Sequence, residues 1–365
     1  MSARKRLAMF DLRPVLERAS PEIARNLAAM HTSGTYVLGE QVERFEGELA
    51  AAFHAGYAAG VGSGAAAIEL CLREAGVVRG DQEVIVPSFT SLFTAQAVLA
   101  AGARLRVADV DPETLLLSPE SVRAAWTPRT AAVLCVHLYG DVCRLDEISA
   151  LCQERGATLI QDACQAHGAT YRGKPLTAFS PYTAYSFYPT KNLGGVGDGG
   201  AVVTDSARVA RRIRMLRDGG RKGDQVARAP GINSRLDEIQ ACYLRAFLPH
   251  LAHWSGHRRK IANAYKRAGI RLTGATADSV HHLYVMRSRQ RDSLRKALAA
   301  EGIQTGIHYP VPLHRQPGLR KRSGFATIPA VSDAASGEVL SLPGGPHISE
   351  SDAEYIAERI RMRVE

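Results

Sequence analysis

SFYPTKNLGGVGDGGAVVT, residues 186–204, is the stretch that decides the fold. It holds the end of one short apolar run, YTAYSFY (182–188), and the whole of a second, GGAVVT (199–204), joined by a turn with a single lysine, Lys191, and a cluster of glycines. Outward from it the same kind of run recurs at EVIVP (83–87), RLRVADV (104–110), AAVLCVH (131–137) and TLIQDA (158–163), each short and mostly bounded by Gly, Pro or Asp, as strands are. Between them the periodicity predicts helices at Ala66–Glu74, Ser91–Ala101, Pro119–Trp126, Leu145–Arg155 and Ala207–Arg217, several opened by a capping residue or by Ser118-Pro119. Strands alternating with helices predict a doubly wound α/β domain with a mainly parallel sheet. From about Leu236 to Ala268 one long helical stretch follows, then the strand HHLYVMRS, the helix RDSLRKALAAEG and a closing helix SESDAEYIAERIRMR. The predicted division is a large α/β domain with an N-terminal helical segment over 1–250 and a small α+β domain over 251–365.

Composition narrows the function classes. With 365 residues, 45% hydrophobic and 22% charged, the chain suits an ordinary globular protein of one large and one smaller domain. No run approaches the roughly 18 apolar residues of a membrane span. The start, MSARKRLAMFDLRP, has no apolar core or cleavage site, so the expected compartment is the cytoplasm and no membrane partner is expected. The 6 cysteines form no CxxC pair and lie mostly in apolar runs, which implies neither a disulfide framework nor a zinc site. A net charge of +10 favours an anionic ligand. Nucleic acid is not expected, because the basic residues are spread along helices with only short clusters such as Leu319-Arg320-Lys321-Arg322, and aromatic residues, 6% of the chain, do not interleave with them.

Ligand sites in such sheets form at the carboxyl ends of the strands, and four places there stand out. Gly62-Ser63-Gly64-Ala65 precedes a helix and leaves backbone N–H groups free to hold a phosphate, although turn chemistry alone also explains it. Asp162, in Gln161-Asp162-Ala163-Cys164-Gln165-Ala166-His167, ends an apolar run as a carboxylate, either capping a helix after the strand or paired with a cationic ring nitrogen. Lys191 stands among aromatic, small and apolar residues, where desolvation lowers an amine's pKa and makes it able to form a Schiff base with an aldehyde cofactor. The loop Gly231-Ile232-Asn233-Ser234-Arg235-Leu236-Asp237 leads into the long helix and by itself reads as a capping segment.

Taken together these segments resemble the DegT/DnrJ/EryC1/StrS sugar aminotransferases, pyridoxal-phosphate enzymes of the aspartate-aminotransferase fold (fold type I). The resemblance runs through FDL (10–12), SGTYVLGEQVERFE (33–46), GSGAAAIEL, VIVPSFT, VHLYGD, QDACQAHGA, SFYPTKNLGGVGDGGAVVT, GINSRLDEIQA, HHLYV, GIHYPVPLH and LSLP, nearly the whole chain. It implies pyridoxal 5'-phosphate as cofactor, with Lys191 as the aldimine lysine and proton shuttle and Asp162 on the pyridinium nitrogen. It further implies Gln165 near the ring face or 3-oxygen, and His167 behind it. Ser186 and the backbone of Gly64 and Ala65 would bind the phosphate, and Asn233 would reach the same phosphate from the other subunit of a homodimer. Arg235 is a candidate anion partner; Tyr36, His308, Tyr309 and His314 are candidates at the substrate mouth, with packed rings the alternative for each.

The chain departs from the family pattern at Ala65, usually Thr or Ser, and at Ser91, where relatives commonly place an aromatic that stacks on the cofactor; Phe89 or Phe93 could supply another face. What the resemblance implies is transfer of an amino group from glutamate or glutamine to a keto-sugar nucleotide. FDLRP and VHLYGD look more like members acting at carbon 3, on an NDP-3-keto-6-deoxyhexose, than at carbon 4. The alternatives are a 4-keto sugar or keto-cyclitol substrate, a lyase, disfavoured because the sugar dehydratases of this fold carry His where Lys191 stands, or a regulatory protein that keeps the fold.

Overall fold

A computed structural model of the chain describes residues 6–364, apart from 275, 277 and 326. The basic start and the side chains of Arg320 and Lys321, from the short basic cluster, lie outside the described residues. The strands are β1 (Tyr57–Val61), β2 (Glu83–Pro87), β3 (Arg104–Ala108), β4 (Thr130–Val136), β5 (Thr158–Asp162), the short β6 (Thr170–Tyr171) and β7 (Lys174–Pro175), β8 (Thr183–Ser186), β9 (Gly200–Thr204), β10 (Tyr284–Arg287), β11 (Ser323–Phe325) and β12 (Val339–Leu342). The helices are α1 (Arg13–Ser33), α2 (Glu40–Ala52), α3 (Gly64–Glu74), α4 (Leu92–Ala101), α5 (Pro119–Ala125), α6 (Leu145–Glu154), α7 (Ala207–Leu216), α8 (Glu238–Phe247), α9 (Leu251–Arg267), α10 (Arg291–Ala300), α11 (Ala330–Glu338) and α12 (Glu350–Val364).

One sheet dominates, in the order β1-β9-β8-β5-β4-β2-β3-β11. Its centre is parallel; only β9 runs against its neighbours β1 and β8. Because β1 opposes β9 and β9 opposes β8, β1 points the same way as the parallel strands, and its carboxyl end opens on the same edge. Both faces are covered. Ile85, Val133 and Cys135 pack into one hydrophobic cluster and Val84, Val86, Ala132 and Leu134 into another on the opposite face, which is why these strands read as continuous apolar runs rather than alternating ones. A third cluster joins α9, α10 and α12 to the antiparallel pair β10-β12.

Two sequence expectations need adjustment. The long helical stretch is two helices, α8 and α9, joined by a 3-10 turn at Leu248–His250, since Pro249 has no N–H to continue the ladder. The C-terminal part is also less separate than a break at 250 suggests: β11 returns to pair in parallel with β3, while Leu7 bridges to Ile303. Pairings of three residues or fewer are too short to leave a periodic signal.

The N-terminal helices are pinned by buried charge. Glu46 of α2, with 6% of its side chain exposed, accepts from Gly60 N at 2.8 Å and Arg214 Nε at 2.9 Å and is paired with Arg217, itself almost fully buried. Removing one partner of such a pair leaves the other's charge uncompensated, so Glu46→Ala should lower unfolding stability by about 3–5 kcal/mol. Denaturant titration checks this; a loss under about 1 kcal/mol, the scale of an exposed ion pair, would contradict it.

Candidate active site

A cavity of about 360 Å³ lies at the carboxyl edge of the large sheet and receives residues that follow β1, β2, β5 and β8. It is lined among others by Gly64, Ala65, Ser91, Asp162, Gln165, Ser186, Lys191 and Tyr309. Side chains and backbone segments far apart in sequence converge there because parallel strands end together.

Asp162 closes β5 and is 5% exposed. Its Oδ2 accepts from Thr94 Oγ1 at 2.9 Å and its Oδ1 from Cys164 N at 3.1 Å. No ion pair joins it to a cation among the described residues. A buried carboxylate with hydrogen bonds but no counter-charge is costly to keep, and its complement is a cation arriving in the cavity.

The start of α3 forms the second part. Ser63 caps the helix, its Oγ taking Ala66 N at 3.1 Å and its carbonyl Ala67 N at 3.0 Å, while the amides of Gly64 and Ala65 have no partner among the described residues. A Cβ built on Gly64 would lie 2.6 Å from Ser186 Cβ and 2.7 Å from Cys164 Sγ, so only glycine lets this turn approach β8. Two free amides at a helix N-terminus beside a serine hydroxyl suit a phosphate, and Ala65 contributes through its backbone alone.

Lys191 sits in the turn after β8, its own amide bonded to the Tyr188 carbonyl at 2.9 Å. Burial pushes its amine's pKa below the ordinary lysine value, partly offset by Cys164 and Asp162. The amine therefore loses its proton more readily than a solvated lysine, which is the condition for nucleophilic attack on an aldehyde. A buried carboxylate, an amide cradle and a desolvated amine around one cavity fit pyridoxal 5'-phosphate.

Gln165 is held at both ends, its Oε1 accepting from Tyr139 N at 2.7 Å and its Nε2 donating to Tyr309 Oη at 3.0 Å. His308 lines an adjoining cavity with Tyr309, and burial drops its pKa to about 4, so it is neutral at pH 7. His167 stands behind the sheet edge, its Nε2 bonded to the Ser186 carbonyl at 2.9 Å and its ring against Phe53, Tyr185 and Phe187. Ser91 caps α4 and faces the cavity; Phe89 is wholly buried in the core and cannot cover a ring there, whereas Phe93 is 64% exposed at the rim.

Four expected residues do not join this group within one chain. His314 is packed between Ser88 Oγ at 2.6 Å and Asp333 at 3.0 Å, where it ties the 308–316 segment to the end of β2. Tyr36 is exposed beside His31. Asn233 is exposed, bridged to Asp218, and Arg235 pairs with Asp218 at 3.3 Å. Sequence reading missed Thr94, which orients Asp162; a threonine three residues into a predicted helix carries no signal until the strand it faces is known.

Residues 17–361 match the model of the DegT/DnrJ/EryC1/StrS aminotransferase family. The chain is 40% identical over 363 residues to a dTDP-3-amino-3,4,6-trideoxy-alpha-D-glucose transaminase of Streptomyces venezuelae, covering 98% of this chain and 96% of that one. It is 39% identical over 364 residues to a pleiotropic regulatory protein of Geobacillus stearothermophilus, covering 96% and 97%. A crystal structure of S. venezuelae DesV in complex with a ketimine intermediate matches with a TM-score of 0.94 at 39% identity over 99% of each chain. With the site geometry, these similarities make the chain a member of the DegT/DnrJ/EryC1/StrS family, a pyridoxal-phosphate-dependent aminotransferase of fold type I.

Proposed function

We propose that the enzyme moves an amino group from glutamate to carbon 3 of a nucleoside-diphosphate 3-keto-6-deoxyhexose, in the cytoplasm and as a homodimer. The observation that carries the reading is the pairing, around one cavity, of a desolvated amine at Lys191 with a carboxylate at Asp162 that forms no ion pair among the described residues. The sugar position is supported by the name of the S. venezuelae transaminase, a 3-amino sugar enzyme, and the net charge of +10 suits a diphosphate. The regulatory name of the Geobacillus relative is not favoured by this geometry, since regulation alone requires no such pair.

When bound, the cofactor supplies an aldehyde that accepts the amino group and a ring that delocalises the electron pair left at the substrate carbon. The protein's part is to arrange protons and charge. Asp162, oriented by Thr94 Oγ1 and Cys164 N, would hold a proton on the ring nitrogen. Lys191 Nζ, which burial makes readier to give up its own proton, would take the proton from the amino-bearing carbon and return it on the other side of the transfer. Gln165, fixed between Tyr139 N and Tyr309 Oη, presents a rigid polar wall. The exposed Phe93 and Tyr188 on the cavity wall support a second subunit closing it.

Purified holoenzyme should show a visible absorbance band that bleaches on adding glutamate, and Lys191→Ala should remain folded while losing both the band and transamination. Wild-type turnover in Lys191→Ala would refute the reading. If Asn233 serves the partner's cofactor, Asn233→Ala should weaken cofactor binding by about tenfold, the scale of one hydrogen bond to a charged group. Mixing it with Lys191→Ala should then regenerate one intact site per heterodimer. An active monomer by light scattering, or no recovery on mixing, would contradict the shared site.

A further inference from the structure

Arg258, on α9, is 5% exposed. Its Nη1 donates to the carbonyls of His281 at 3.2 Å and His282 at 3.3 Å, and its own carbonyl accepts from Tyr284 Oη at 3.1 Å. Its Nε has no partner, and no carboxylate pairs with the guanidinium among the described residues. Burial pulls its pKa below the ordinary arginine value, opposed only by Tyr284. An arginine buried at this depth ordinarily meets an anion, because desolvating the charge without one is expensive.

Arg258 lines a cavity of about 350 Å³ that adjoins the cavity above Asp162 and shares Ser91, Phe93, Gln165, Tyr188, Lys191 and Tyr309 with it. Lys191 and Arg258 are the formally charged side chains on its wall; His282 and His308 also line it, and burial keeps both neutral near pH 7. Asp11, on a smaller cavity behind, is held by Arg13 at 2.6 Å. The support for Arg258 is tied to the reactive lysine: His282 Nδ1 lies 3.0 Å from Oδ1 of Asn192, the residue after Lys191, and Asn192 Nδ2 donates to the Val280 carbonyl at 3.0 Å. The backbone that anchors the guanidinium is thus fixed to the turn that carries the amine.

We propose that Arg258 binds the α-carboxylate of the amino donor, placing the donor's amino-bearing carbon beside Lys191. This rests on the aminotransferase reading above and names a recognition group for its first substrate. The α-carboxylate is common to glutamate and glutamine, and a planar carboxylate matches the two-donor edge of a guanidinium. The cofactor phosphate is a poorer occupant, since Gly64, Ala65 and Ser186 line the other cavity and Arg258 does not. The keto ring of a sugar has no charge to offer. The nucleoside diphosphate is the competing anion, and the experiment separates the two.

Holoenzyme carrying Arg258→Gln or Arg258→Lys is titrated with glutamate, following loss of the visible band in single half-reactions, and with a nucleoside diphosphate by calorimetry. Arg258→Gln should weaken the apparent glutamate affinity by about tenfold to a hundredfold, the loss of a hydrogen bond to a charged group, with a smaller change in the limiting rate. Arg258→Lys, which keeps the charge without the fork, should recover part of that affinity and stands alone as the test if the glutamine variant does not fold. Nucleoside-diphosphate affinity and the visible spectrum should stay as in the wild type. Unchanged glutamate affinity in the variants, or a loss that falls on the nucleoside diphosphate instead, would overturn the assignment. A wild-type enzyme indifferent to both glutamate and glutamine would be a different failure, removing the transaminase reading itself.

Discussion

A carboxylate buried at the end of a central strand, in no ion pair among the described residues, is the constraint around which this molecule is arranged. The Asp162 carboxylate is hydrogen-bonded from two directions: by Thr94, presented by the first turn of α4, and by the backbone amide of Cys164 in the turn after β5. Both donors depend on the sheet. β5 lies between β4 and β8, and the helix that carries Thr94 comes after β2, on the far side of β4. The strand order therefore places the two halves of the support where neither could be supplied locally. The remaining need is for charge, and the cavity above Asp162 is where a charged ring would supply it.

The opposite charge is handled with the same economy of space. Lys191 is carried by a connection between β8 and β9 that has to fold tightly against the start of α3. A Cβ on Gly200 would meet the Ser63 backbone at 2.5 Å, and one on Gly194 would meet the Pro189 carbonyl at 2.5 Å. The glycines after the lysine are thus spacing elements that bring an amine, an amide cradle and a carboxylate around a cavity of about 360 Å³. Desolvation that would be a liability elsewhere lowers the amine's affinity for its proton here, and reactivity results from burial.

Much of this was legible in the sequence. Strands such as EVIVP were bounded to the residue because a strand buried on both faces is a continuous apolar run. Gly64, Asp162 and Lys191 are marked by strand ends and local composition, whereas Gln165, Ser186 and Tyr309 are picked out only by the family resemblance. The rest depends on distances along the chain that no local pattern records. Thr94 and Arg258 are ordinary residues on ordinary helices, and only tertiary packing turns one into a carboxylate's partner and the other into a buried cation. His314 shows the converse: an imidazole in a motif next to the site, GIHYPVPLH, is used to fasten Ser88 to Asp333. Tyr36, Asn233 and Arg235 stand apart from the cavity in one chain, so their part is a question about two chains.

The most direct test of the account is the protonation state of the cofactor's ring nitrogen, read by nitrogen-15 NMR on holoenzyme loaded with ring-labelled pyridoxal phosphate. If Asp162 is the counter-charge for which the cavity is built, the ring nitrogen is protonated at neutral pH in the wild type and loses that proton in Asp162→Asn, with Thr94→Val shifted in the same direction by less. A ring nitrogen unprotonated in the wild type, or equally protonated in Asp162→Asn, would contradict it.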